Sequence, residues 1–163
     1  MNAYDPAAVK RYYSTAALVS GAIGGALVMY AAVAEILRLA AGYQPPLAGS
    51  ASAAALRPAL YVLAFASIAA ARIIPSRIAT ARKPADPAGL AALLTRVSIS
   101  RTALYEVPGV LGLAGWLAAG FYPDLYALLG LSLALVIKNF PRLPDWEREF
   151  AARFGAVAAQ ETK

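Results

Sequence analysis

Four long apolar segments dominate the sequence, and they constrain the possible fold more than any other feature. They cover about residues 15–37, 58–74, 99–120 and 125–140. A helix needs about 20 predominantly apolar residues to cross the hydrocarbon core of a bilayer. Hydrophobic residues make up 60% of the chain and charged residues only 15%, whereas soluble domains carry about 25% charged residues. The sequence therefore predicts an all-α polytopic membrane protein with a single four-helix bundle over residues 1–163.

The connections between these segments predict two antiparallel hairpins and two amphipathic helical segments. Only the short turn at Pro123 and Asp124 separates the third span from the fourth, and such a short connection places neighbouring helices antiparallel. One amphipathic segment begins at Asp86 and is expected to continue into the third span. The other covers residues 145–159 and is predicted to lie on the bilayer surface. Docking onto a partner protein is the alternative for this second segment.

The distribution of basic residues predicts an orientation in the membrane. Every Lys and Arg except Arg38 and Arg57 falls on one side of the four predicted spans. Loops rich in Lys and Arg stay on the cytoplasmic side of a membrane. We therefore expect a protein of the bacterial inner (plasma) membrane with both termini in the cytoplasm. The net charge of +6 is explained by contact with anionic lipid, and no nucleic-acid partner is predicted.

Two missing residue types narrow the possible chemistry. The chain contains no Cys and no His. Disulfides, Cys-ligated zinc, iron–sulfur clusters, haem held by histidine and acid–base catalysis by histidine are therefore excluded. We predict no metal site, no cofactor and no catalytic residue, and hence no enzyme. The expected partners are the lipid bilayer and other membrane-protein subunits, with self-association as an alternative to them.

One acid, Glu106, lies inside the third predicted span. An ionisable residue at this depth is costly and is a hypothesis for a functional site. It lies about 7–8 Å inside Arg101, from the helical rise per residue. Arg72, near the end of the second span, and Arg101 are its candidate ion-pair partners. The alternatives are a structural ion pair, a carboxylate that exchanges protons or cations, a site for a lipid or quinone polar group, and a contact with another subunit.

A second acid, Glu35, lies near the opposite end of the first predicted span. Its candidate partners are Arg38, three residues further along the same helix face, and Arg57, which precedes the second span. An ion pair here would fix helix register, although such pairs contribute little net stability.

A proline and three glycines follow Glu106 in the same span. Pro108 cannot donate a backbone hydrogen bond to Leu104, so a kink is expected there. Gly109, Gly112 and Gly115 form a stripe that predicts a groove. A packed helix is the expected occupant, and an acyl chain is the alternative.

The first span carries a further pair of glycines, Gly21 and Gly25, four residues apart. Small residues at this spacing let another helix approach closely. Packing within the bundle is the expected role, with a contact between copies of the chain as the alternative.

The second half of the chain, Arg96–Arg142, carries a resemblance to known membrane proteins. The pattern consists of Ile99, Arg101, Ala103, Leu104, Glu106, Pro108, Gly109, Gly112 and Leu113, followed by Phe140, Pro141 and Arg142. It resembles a group of small, uncharacterised four-helix bacterial inner-membrane proteins. It is also similar to the proteolipid (c) subunit of rotary ATP synthases, in which a hairpin carries one ion-binding carboxylate. That similarity implies a hairpin with Glu106 as its carboxylate, although here the acid and the glycines share one helix.

Taken together, these features predict a non-enzymatic accessory or structural subunit of a larger inner-membrane complex, which packs through glycine-rich helix faces. One alternative is proton or cation translocation through Glu106. A further alternative is a lipid- or quinone-binding module that uses the groove over Gly109–Gly115.

Overall fold

The computed structural model describes residues 6–40, 43–81, 84 and 86–155. Within these ranges the chain is helical and contains no strand, which confirms the all-α prediction. The helices are α1 (Pro6–Leu39), α2 (Ala51–Ala81), α3 (Pro87–Ala119), α4 (Tyr122–Lys138) and α5 (Leu143–Phe150), and α5 continues as a π-helical turn over Ala151–Gly155.

In the described part of the chain, three helices are long and apolar enough to cross a membrane by themselves: α1, α2 and α3. The fourth, α4, has 17 residues and is about 26 Å long, slightly less than the ~30 Å hydrocarbon core. Together with Leu143–Phe154, from which it is separated by a bend of 44°, α4 forms a fourth candidate span. The protein therefore has the helices of a polytopic membrane protein, with three candidate spans or up to four.

Helix α2 extends beyond the predicted span, residues 58–74, at both ends. It begins at Ala51, where the hydroxyl of Ser50 accepts a hydrogen bond from the backbone N–H of Ala53 at 3.1 Å. Such a cap replaces a hydrogen bond that the first helical turn lacks. Pro58 and Pro75 then lie inside the helix. A proline removes one backbone hydrogen bond, but α2 continues through both positions and packs along α3.

Helix α3 confirms the prediction that a helix begins at Asp86 and continues into the third span. The Asp86 carboxylate accepts a hydrogen bond from the Gly89 N–H at 2.6 Å, and Pro87 occupies the first helical position. The helix ends at Ala119 and is capped by Gly120, which has a positive φ of 77° and donates its N–H to the Trp116 carbonyl. A left-handed glycine is a common helix terminator because it carries no Cβ.

Helix α3 is the centre of the bundle, since it packs extensively against α1, α2 and α4. Helices α3 and α4 form the closely packed hairpin that the short turn predicts. The first pair differs from the prediction, because α1 and α2 are joined mainly through α3 and not through a shared interface. The main core therefore combines residues of all four helices, including Leu27, Ala71, Tyr105 and Leu129.

A separate hydrophobic cluster lies where α5 meets the N-terminal parts of α1 and α3. Trp146 and Phe150 of α5 are only 5% and 1% exposed, and they pack with Val9 and Leu90. The Tyr13 ring meets the Trp146 ring edge-on, with 5.9 Å between ring centroids.

The expectation that this apolar face of α5 lies on the bilayer is therefore wrong for the described residues. Helical periodicity identifies an apolar face but does not show what covers it. Here the face of α5 is covered by the N-terminal ends of α1 and α3. Residues 156–159 of the predicted helix lie outside the described residues.

Candidate functional site

Glu106 is half-buried on α3, and its closest polar contact comes from α1. The hydroxyl of Tyr30 donates a hydrogen bond to Glu106 Oε1 at 2.8 Å. Among the described residues Glu106 forms no ion pair, so the predicted pairs with Arg72 and Arg101 are absent. These two arginines instead border an open cleft beside the C-terminal end of α4. The predicted depths bring Arg72 and Glu106 to similar levels, but Glu106 is turned towards Tyr30 of α1.

Pro108 is buried inside α3, and the helix continues through it. The next residue, Gly109, donates its N–H to the hydroxyl of Ser132 on α4 at 2.7 Å. Ser132 is fully buried, so this bond satisfies a polar group inside an apolar interface. The backbone next to the proline therefore forms a hydrogen bond to the neighbouring helix, α4.

At the three glycines after Pro108, the atom nearest to an added Cβ comes from a different helix each time. A Cβ at Gly109 would lie 2.5 Å from Leu27 Cδ2 of α1, and one at Gly115 would lie 2.6 Å from Leu60 Cδ1 of α2. At Gly112 the same atom would lie 3.2 Å from the backbone oxygen of Leu125 on α4. The predicted groove is thus filled by the protein's own helices, as expected for a packing surface. Among the described residues, a cavity of about 10 Å³ remains beside Gly112 and Gly115.

Gly21 and Gly25 lie on the exposed face of α1. No atom of the described chain comes within 4 Å of a Cβ placed at either position. Within the described part of the chain they therefore do not pack against another helix, contrary to the expectation. Around them the surface is apolar, and Leu18 and Met29 are 74% and 61% exposed.

Glu35 lies at the end of α1, within a small polar cluster. Its carboxylate forms an ion pair with Arg38, with 2.7 Å between Oε2 and Nη2. The hydroxyl of Tyr122 donates to Oε1 at 2.6 Å, and the hydroxyl of Tyr126 donates to the same oxygen. Of the two candidate partners, Arg38 contacts Glu35 in this structure, whereas Arg57 contacts a different acid.

That acid is Asp124, in the first turn of α4. Arg57 Nη2 donates to Asp124 Oδ1 at 2.9 Å, and Arg57 Nε lies 2.7 Å from Oδ2. The hydroxyl of Tyr61 donates to Oδ1 at 2.9 Å. The residue is 8% exposed, so these contacts replace most of the water around its charge.

The first turn of α4 therefore joins two other helices. Tyr122 and Tyr126, four residues apart, contact Glu35 of α1, while Asp124 points to α2. Asp124 is not recognisable as a site residue from the sequence, because a carboxylate after a proline is explained by the turn itself. The available signal was Arg57. This basic residue lies at the same end of the bundle as Asp124, whereas most other basic residues lie at the opposite end.

These contacts define the class of protein that the structure shows: an all-helical membrane-type bundle whose apolar helices are linked by isolated polar contacts. Within the described ranges, no group of three or more Asp and Glu residues lies close enough together to hold a metal ion. Comparisons of the chain with protein-family models, curated proteins and solved structures found no match.

Proposed function

We propose that the protein is a non-enzymatic membrane subunit that packs against a helix of another membrane protein through the exposed face of α1. It crosses the bacterial inner membrane four times, with both termini in the cytoplasm. The observation that carries this proposal is the exposure of Gly21 and Gly25.

A glycine inside a helix costs about 1 kcal/mol relative to alanine. On α3 this cost is offset by close packing, because Leu27, Leu60 and the Leu125 backbone fill the spaces at its glycines. No such packing exists at Gly21 and Gly25 within the described chain. A contact with another molecule would account for the two glycines. Their spacing and apolar surroundings suit a closely approaching helix.

The four-span arrangement is supported by the height of α4 in the bundle. Its first turn contacts Glu35 near the end of α1. Its last residue, Lys138, borders the same cleft as Arg72 and Arg101 at the other end. Helix α4 thus covers the same depth as the apolar parts of its neighbours. The excess of Lys and Arg at the second end supports a cytoplasmic location for that end.

Crosslinking at the α1 face tests the proposal. Because the chain contains no Cys, Gly25→Cys introduces a single reactive thiol. In membranes of the organism that makes the protein, a thiol-reactive photocrosslinker at this position is expected to yield an adduct with a different membrane protein. Gly130→Cys on α4 is the matched control, since its Cβ also meets no described atom within 4 Å.

The outcomes of this experiment are distinct. An adduct from Gly25→Cys but not from Gly130→Cys supports the proposal, and mass spectrometry identifies the partner. An adduct with a second copy of the chain would show that the α1 face mediates self-association and not a contact with a different protein. Equal labelling of lipid alone at both positions would overturn the proposed interface.

One observation favours a second candidate function, proton or cation translocation through Glu106. This acid lies in a candidate span, and among the described side chains it is held by the Tyr30 hydroxyl and not by a cation. Glu106→Gln is expected to abolish ion flux in proteoliposomes that contain a pH-sensitive dye, without loss of folding. Glu147→Gln, at an exposed position of α5, is the control. Flux that is absent from the parent protein, or unchanged in Glu106→Gln, would reject this function.

A further inference from the structure

A cleft of about 270 Å³ opens between α2, α3 and α4, at the end of the bundle where basic residues predominate. We call it the basic cleft. It is lined by Arg72, Arg101, Tyr105, Leu135, Lys138 and Asn139. Three of these six side chains are cations, and each comes from a different helix. The cleft is separate from the Glu106–Tyr30 contact, which lies towards α1.

None of the described carboxylates neutralises these cations. Arg72, Arg101 and Lys138 form no ion pair within the described ranges, while Glu35, Asp124, Asp145 and Glu149 are each paired with another arginine. Like charges that converge on one space repel each other, and low-dielectric walls strengthen the field between them. An anion in the basic cleft would reduce this repulsion.

The other lining groups suit an anion that accepts hydrogen bonds. Asn139 donates one side-chain N–H to the Leu135 carbonyl at 2.8 Å, and an amide nitrogen carries a second donor. Tyr105 is only 4% exposed, yet its hydroxyl makes no hydrogen bond to any described residue. Two guanidinium groups with an ammonium form a donor set that favours phosphate, because the planar arginine fork matches two phosphate oxygens.

The depth of the cleft agrees with a ligand at the membrane boundary. From Arg72, α2 continues to Ala81, and α3 begins at Pro87, ahead of Arg101. Both helices therefore extend beyond the cleft, by about 13 Å and about 21 Å. The basic cleft lies where the apolar bundle meets this extension, which is the level expected for lipid headgroups.

We propose that the basic cleft binds a phosphate group, supplied either by the headgroup of an anionic phospholipid or by a soluble phosphate ester. The site is independent of the α1 face, because its residues belong to α2, α3, α4 and the residue that follows α4.

Binding to the purified chain in detergent tests this proposal with two probes, phosphatidylglycerol and glycerol 3-phosphate. A triple variant, Arg72→Gln with Arg101→Gln and Lys138→Gln, is compared with a control triple, Lys10→Gln with Arg77→Gln and Arg142→Gln. Both triples remove the same charge, and the control residues are exposed and outside the cleft. We expect the cleft triple to weaken binding at least tenfold and the control triple to weaken it less than twofold.

Each outcome decides a point. Cleft-dependent binding of phosphatidylglycerol alone assigns the site to a lipid headgroup, and cleft-dependent binding of glycerol 3-phosphate assigns it to a soluble ester. Binding that both triples weaken equally, or no binding of either probe by the parent chain, overturns the proposal. Should the cleft triple fail to fold, the single variant Lys138→Glu replaces it. Lys138 is exposed at the end of α4, and charge reversal there is expected to weaken binding at least threefold.

Discussion

The hydroxyl of Tyr30 lies 2.8 Å from Oε1 of Glu106 and links α1 to α3 within the apolar part of the bundle. One to three turns away, the hydroxyls of Ser20 and Thr102 form a second, buried contact between the same helices at 3.2 Å. Apolar helices in lipid gain little from hydrophobic burial against each other, so polar contacts and close packing define their register. Glu106 is thus integrated into the α1–α3 interface.

Replacing Tyr30 by phenylalanine is expected to destabilise the bundle by about 1 kcal/mol, because the hydrogen bond to Glu106 is lost while the ring is kept. Reversible unfolding in mixed detergent micelles measures this change. A double-mutant cycle with Glu106→Gln isolates the coupling between the two side chains. Tyr12→Phe, at a more exposed position on the same helix, controls for loss of a hydroxyl. A coupling energy of zero would show that the contact contributes nothing.

Among the α3 glycines, Gly112 is expected to tolerate alanine least. The added Cβ would meet the backbone oxygen and Cα of Leu125 at 3.2 Å and 3.3 Å, and backbone cannot move aside as a side-chain end can. We expect Gly112→Ala to lower the free energy of unfolding by about 1–2 kcal/mol. Gly130→Ala, where no described atom is close, should raise it by up to about 1 kcal/mol. Equal effects of both changes would contradict the close approach of α3 and α4.

Asp124→Asn is expected to destabilise the protein by about 1–2 kcal/mol, since the side chain is largely buried and receives bonds from Arg57 and Tyr61. The exposed pair Asp145–Arg148, at 3.6 Å, provides the comparison. Asp145→Asn should have almost no effect on unfolding, because water screens exposed ion pairs. If the two variants unfolded alike, α4 would not be fixed to α2 by this contact.

Phe150→Ala is expected to release α5 from the bundle, because it removes a side chain that is 1% exposed in the cluster with Val9 and Leu90. Loss of a buried phenylalanine costs about 3–5 kcal/mol. Limited trypsin digestion at Arg148 and Arg153 measures the release, and we expect cleavage to accelerate by more than about tenfold. Phe65→Ala, at a position that is 61% exposed, should leave the cleavage rate unchanged.

The helical class and the path of α3 could be predicted from sequence, because both depend on local signals. Apolar length identifies candidate spans, and Asp86 with Pro87 marks a helix start regardless of what surrounds it. The level of each acid along the helix axis also follows from the rise per residue. These properties are carried by the sequence near each residue.

The direction in which each side chain faces could not be predicted in the same way. Residue counting brought Arg72 and Glu106 to similar depths but gave no rotation about the helix axis, and the two face different neighbours. The predicted role of Gly21 and Gly25 failed for the same reason. Because the central part of α1 is apolar on all sides, its sequence does not indicate which face packs against the bundle. The contacts of Asp124 could not be predicted because the sequence does not show that Arg57 of α2 meets the start of α4.

The burial of Phe150 against Val9 and Leu90 has a consequence for how the protein is made. Helix α5 follows α1–α4 in the chain, so the ribosome produces it after them. Until it emerges, the apolar residues at that end of α1 and α3 lack the contacts that Trp146 and Phe150 provide. This end can therefore close only after α1–α4 have been made, and a chain that stalls after α4 is expected to expose apolar residues that quality-control factors recognise.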